Sequence, residues 1–231
     1  MPETRSLYAR VRPREETLLW GGLVVCTELL LVLLYFAATD AALAGPAGIR
    51  YVLYPFVWIN VGAWAVLRTT PAPSGDRQRW AALAISVAYF GVLAYAGGVV
   101  GQGYVAHGHG HQHATSLRLL LLDAPPGWSP GLVYFGQYVH LTLLPFKLVG
   151  YLALSYLVYA TVLDAAGSAV TGALGLLSCV SCTWPVLASL VTGVFGSGTA
   201  IAGAVYAQSY GLSTVVFVVT VGLLYWRPFG R

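Results

Sequence analysis

The sequence predicts an all-α protein, a polytopic integral membrane bundle of six transmembrane helices. Three observations predict it. First, 58% of the 231 residues are hydrophobic and only 9% are charged, where a soluble domain carries about 25% charged residues. Second, the apolar residues gather into runs near the roughly 20 residues that a spanning helix needs. Third, the basic residues, eleven arginines and one lysine, fall between those runs with a strong bias. With six spans, Arg5, Arg10, Arg12, Arg14, Arg68, Arg77, Arg79, Arg227 and Arg231 share one side, and Arg50 and Arg118 take the other. The positive-inside rule then gives a plasma membrane protein with both termini cytoplasmic. Five or seven spans would scatter these charges. The net charge of +4 is therefore read as membrane orientation and not as nucleic-acid binding.

Residues 1–16 are polar and of mixed charge, and form a cytoplasmic N-terminal segment. The apolar run after them has no small-residue cleavage site, so it reads as a first span and not as a cleaved signal. That span covers Thr17–Ala38, and "TDAALAGPAG" separates it from the second, Tyr51–Leu67. "RTTPAPSGDRQR" has the proline, glycine and charge of a surface loop and leads to the third span, Trp80–Val100. Residues 101–130 form an external loop that contains histidines and closes with "DAPPGWSP". The fourth span lies within Gly131–Leu163. As one straight helix that stretch measures about 50 Å, against a hydrocarbon core of about 30 Å. It must therefore tilt strongly, kink at Pro145 or begin as a separate segment lying on the outer surface, and a break near Pro145 is the favoured reading. The fifth span covers Ser168–Val194 and the sixth Ile201–Trp226, so residues 1–231 read as a single transmembrane domain. Trp20, Trp64, Trp80, Trp128 and Trp226 sit near span ends, where amphipathic rings favour the interface.

Chemistry centres on "LLSCVSCTWPVL" in the fifth span. Cys179 and Cys182 are i and i+3, so a helix puts them on one face. Pro185 removes a hydrogen bond to the carbonyl of Ser181 and opens the helix beside them. Paired thiolates suit soft ions such as Cu(I) and Zn(II), and the same spacing suits a reversible disulfide. Small, buried cysteines that only pack are the third reading. In the external loop, "VAHGHGHQHATS" carries His107, His109, His111 and His113. Imidazoles on a glycine-rich tract collect Zn, Cu or Ni ions, or form a polar loop with no specific ligand.

Glu28, His140, Lys147 and Gln208 are polar or ionisable groups within spans. A charge in hydrocarbon costs about 2.5–3.5 kcal/mol on insertion scales and normally faces a partner inside the bundle. Glu28 and Lys147 are the candidate pair, and His140 lies seven residues before Lys147, on the same face of a helix. They form either a proton path or a structural ion pair between the first and fourth spans, and Lys147 can instead snorkel to the interface. Gln208 adds hydrogen-bonding capacity to the sixth span. No Walker loop, dinucleotide fingerprint, catalytic triad or zincin motif is present. Neither haem nor a nucleotide is predicted as a cofactor.

The stretches "LPFKLVGYLALSYLVYATVLD", "LGLLSCVSCTWPVLASLV" and "YGLSTVVFVVTVGLLYWRP" resemble an uncharacterised family of six-helix membrane proteins from halophilic archaea. The resemblance covers roughly the last 90 residues and implies no established activity or site. The cysteine pair is also similar to those of membrane thiol-redox proteins and copper transporters. However, the metallochaperone sequence around such pairs and any soluble metal-binding domain are absent. The expected function is binding or transport of a soft metal, copper or alternatively zinc, or help in assembling a membrane metalloenzyme. Two alternatives stand beside it: a thiol–disulfide electron relay through Cys179 and Cys182, and a non-catalytic accessory subunit of a membrane assembly such as a respiratory complex.

Overall fold

The structure is a computed structural model that describes residues 15–43, 45–103, 115–165 and 200–226. Five helices and a small antiparallel sheet occupy the described residues. Four of the helices are long and apolar enough to cross a membrane. The protein is therefore mostly helical and suited to a lipid bilayer, but it is not all-α. The span expected over Ser168–Val194 lies outside the described residues.

Helix α1 runs from Glu15 to Ala38 and belongs to a first unit, Met1–Ala42. Glu15 and Glu16 open it, where negative charge complements the helix dipole. Leu19, Leu29 and Leu33 are exposed, as lipid-facing side chains are. Thr27 Oγ1 donates to the carbonyl of Leu23 at 2.8 Å, which keeps the hydroxyl satisfied without water.

The second unit is Leu43–Arg231. It contains α2 (Gly45–Arg68), α3 (Asp76–Ala96), α4 (Pro145–Ala165) and α5 (Ala200–Trp226). Helix α4 is central and packs against α2, α3 and α5. Trp58 of α2 anchors this core. Its ring stacks on Phe217 of α5 with centroids 4.2 Å apart and meets Phe146 of α4 edge-on at 5.7 Å. Its indole Nε1 donates to Thr214 Oγ1 at 3.0 Å, which satisfies a polar tip that burial would otherwise strand. Gly150 permits the approach, because a Cβ there would collide with the Trp58 ring.

Between α3 and α4 lie β1 (Val100–Gln102), β2 (Ser116–Leu120), β3 (Gly131–Phe135) and β4 (Val139–Leu143). Their spatial order is β1-β4-β3-β2, all antiparallel. This corrects the expectation of a helical fourth span beginning near Gly131. The chain does break at Pro145, but the residues before it are a hairpin. "GLVYFGQYVHLTL" alternates and is rich in β-branched and aromatic residues, which favours a pleated strand. Pro145 then opens α4, at the first helical position, where its missing N–H has no partner to lose.

Trp128 in the β2–β3 connection turns inward and is 4% exposed. It stacks on Tyr51 with centroids 4.2 Å apart, and its Nε1 donates to the carbonyl of Tyr51 at 2.9 Å. The start of α2 is thereby fastened to the base of the sheet. By contrast Trp64 and Trp80 are exposed near helix ends, as interfacial rings are.

Candidate functional site

Strand polarity fixes what lies at each end of the sheet. α3 delivers the chain into β1, and β4 delivers it into α4, so the start of β1 and the end of β4 mark the end nearest the helices. Because neighbours are antiparallel, β1 finishes at the far end and β2 begins there. The β3–β4 turn, Gly136 to Tyr138, lies at that far end too, and Gly103 N donates to the carbonyl of Tyr138 at 2.9 Å. β1 and β2 are also the two edges, three strand spacings or about 14 Å apart. His107, His109, His111 and His113 belong to the connection between these edges and lie outside the described residues.

His140 stands on β4, paired with Gly101 of β1 and Phe135 of β3. Its ring stacks on Phe135 at 5.4 Å, and Nε2 is 2.7 Å from Thr142 Oγ1. Residues 140 and 142 share a face because strand side chains repeat every second residue. Nδ1 looks onto Gly101, where a Cβ would lie 3.0 Å away, so glycine lets the ring stand against the edge strand. His140 is thus not a span residue on one helical face with Lys147. A strand replaces the helix that would have aligned them.

Lys147 sits in the first turn of α4, half-buried. Its Nζ donates to the carbonyl of Gly97 at 2.9 Å. Gly97 is the C-cap of α3, where carbonyls lack intrahelical partners and the dipole is negative. The ammonium therefore joins the end of α3 to the start of α4, beneath the sheet. Within its own unit, the partner of the ammonium is thus a backbone carbonyl. Glu28 is half-buried in α1, in the other unit.

The opposite end of the second unit carries the α2–α3 loop. Ala72 N donates to Asp164 Oδ1 at 3.0 Å, and the Tyr156 hydroxyl donates to the carbonyl of Thr69 at 3.2 Å. These bonds hold the loop, flanked by Arg68, Arg77 and Arg79, to the last turns of α4.

Cys179 and Cys182 lie outside the described residues, as does the side chain of Gln208, whose backbone is in α5. Among the described residues, no group of three or more His, Cys, Asp or Glu is placed to hold a metal ion. What the structure adds is position. The tract's two flanks and His140 sit together on the sheet, at one end of the unit, and the arginine-flanked loop sits at the other. Sequence reasoning missed Gly97, Gly101 and Thr142 as partners. Period-2 alternation signalled Thr142, but a backbone carbonyl such as that of Gly97 has no signature.

The whole chain, residues 1–231, matches a family described as a family of unknown function, DUF7546. No curated protein matches it, and no solved structure matches it.

Proposed function

The chain belongs to DUF7546, a family of unknown function, and from that premise, which carries no activity with it, we propose a multi-pass membrane protein that binds or moves a soft metal ion, copper ahead of zinc. The observation that supports this reading most is the edge-to-edge sheet connection. In sequence, His107, His109, His111 and His113 fall between Gln102, which ends β1, and Ser116, which begins β2, and His140 stands on β4 of the same sheet. Such a tract captures an ion reversibly. Cys179 and Cys182 then receive it in the apolar segment that Pro185 opens, since thiolates hold Cu(I) and Zn(II) more firmly than imidazole on a flexible loop. Glu28 assists as an intramembrane carboxylate, and the recipient is either the far side of the membrane or a membrane metalloenzyme.

The same proposal includes six spans in the plasma membrane with both termini cytoplasmic. The apolar run 168–194 supplies the fifth span, and the arginine distribution supports the sidedness. The excess of arginine over lysine fits an origin among halophilic archaea.

Metal analysis of the detergent-purified full chain tests the function. After copper loading and desalting, about one copper per chain is expected. The Cys179→Ser/Cys182→Ser variant is expected to lose it, and a variant with the four tract histidines changed to asparagine is expected to load more slowly. A chain that holds no metal but changes its thiol labelling with redox potential would favour the electron relay instead. Neither behaviour would leave the accessory-subunit reading.

A further inference from the structure

A groove of about 650 Å³ runs between α3 and α4, and none of its described lining residues is a candidate metal ligand. At its mouth stand Arg79 and Trp80, both exposed, with Asp76 one turn outside them. Below the mouth its wall is apolar, formed by Leu83, Val87 and Phe90 of α3 and Leu152 of α4. Its floor is closed where Ser86 Oγ donates to the carbonyl of Ser155 at 2.7 Å, so no unsatisfied hydroxyl faces the slot there. The depth is informative. Arg79 and Phe90 are eleven residues apart, about 16 Å along a helix, and one leaflet of the hydrocarbon core is about 15 Å deep. A cation and an indole at one end of a leaflet-deep apolar slot match one kind of molecule, with a charged head and a long chain.

We infer that this groove seats a phospholipid, its phosphate on the Arg79 guanidinium and one acyl chain along Leu83, Val87, Phe90 and Leu152. Guanidinium binds phosphate through paired N–H donors, and Trp80 settles at the headgroup level. Asp76 opposes the phosphate from the outer side, so the mouth holds the lipid less tightly than a purely basic site. The hydroxyl of Tyr156 is engaged by the α2–α3 loop, Tyr159 also lines the groove, and Arg79 is the cation among its described lining residues.

The test uses the full chain in detergent and native mass spectrometry. Dioleoyl phosphatidylglycerol and dioleoylglycerol, which lacks the phosphate, are offered at equal concentration. Phosphatidylglycerol is expected to be retained about fivefold better, the value of one basic contact of about 1 kcal/mol. Arg79→Gln is expected to bring it down to the dioleoylglycerol level, and Asp76→Asn to raise it. Both positions are exposed, so neither variant threatens folding. Equal retention of the two lipids, or a preference that survives Arg79→Gln, overturns the proposal. So does a disulfide from Leu83→Cys to Cys179 or Cys182 in a Cys26→Ser background, because the chain's own segment would then fill the slot.

Discussion

A lysine in the first turn of a helix normally suffers from that helix's own dipole, because the N-terminus is positive. Lys147 escapes this by reaching the carbonyl of Gly97 at the end of α3, where the dipole has the opposite sign. The bond is charge-assisted and part-buried, a class that contributes about 1.5–3 kcal/mol. Lys147→Met should therefore lower the stability of the detergent-solubilised chain by about 2 kcal/mol, read as a lower unfolding midpoint. Lys147→Arg should recover part of the loss. A methionine variant as stable as the wild type would mean that the lysine is not retained for this bond. The same physics makes a Glu28–Lys147 pair a reasonable expectation from the sequence. A buried ammonium needs an acceptor, and a free helix-terminal carbonyl serves as well as a carboxylate without bringing a second charge into the interior.

Three spans were legible in outline because hydropathy needs only a run of apolar residues, and α1, α2 and α3 are such runs. Pro145 marked the start of α4 for an equally local reason. The sheet was not legible by that route. A window of 20 residues scores Leu132, Val133, Tyr134, Leu141 and Leu143 by apolarity alone, and a half-buried strand scores like a helix. The alternation in "SLRLL" and "VHLTL" carried the missing information. With it, His140 would have moved from a helix to a strand. The site was legible as a set of candidate ligands, but the backbone partners of His140 and Lys147 depend on strand pairing and a helix end. The register offers a direct check, since Leu119 and Leu132 are cross-strand partners, with Cα atoms expected about 4.5–5.5 Å apart. In a chain with its native cysteines changed to serine, Leu119→Cys with Leu132→Cys should oxidise to a disulfide. Leu119→Cys with Thr142→Cys, two strands apart, should not. Core packing predicts a second element-scale effect. Gly150→Val places a side chain against the Trp58 ring where nothing else fits, and overpacking of this kind costs about 1–3 kcal/mol, seen as a lower unfolding midpoint.

At the scale of the molecule, the second unit has two chemically distinct ends. One end presents the sheet, the tract's flanking residues Gly103 and Thr115, and His140. The other presents the α2–α3 loop with Arg68, Arg77 and Arg79, tied down by Asp164 and Tyr156. If α2, α3 and α4 are spans, the hydrocarbon core separates these ends, and the arginines decide which one stays inside. Single cysteines in a chain freed of its native ones read this out. Gln78→Cys, in the first turn of α3, should react with a membrane-impermeant maleimide only after the membrane is opened. Thr115→Cys, at the mouth of β2, should react in intact cells. The opposite pattern would put the histidines in the cytoplasm, where a capture tract for incoming metal has no ion to capture. An export or buffering role would then replace uptake, with the same ligands and the reverse direction. Labelling of both positions from one side would be more damaging, because it would mean that the helices between them do not cross the bilayer at all.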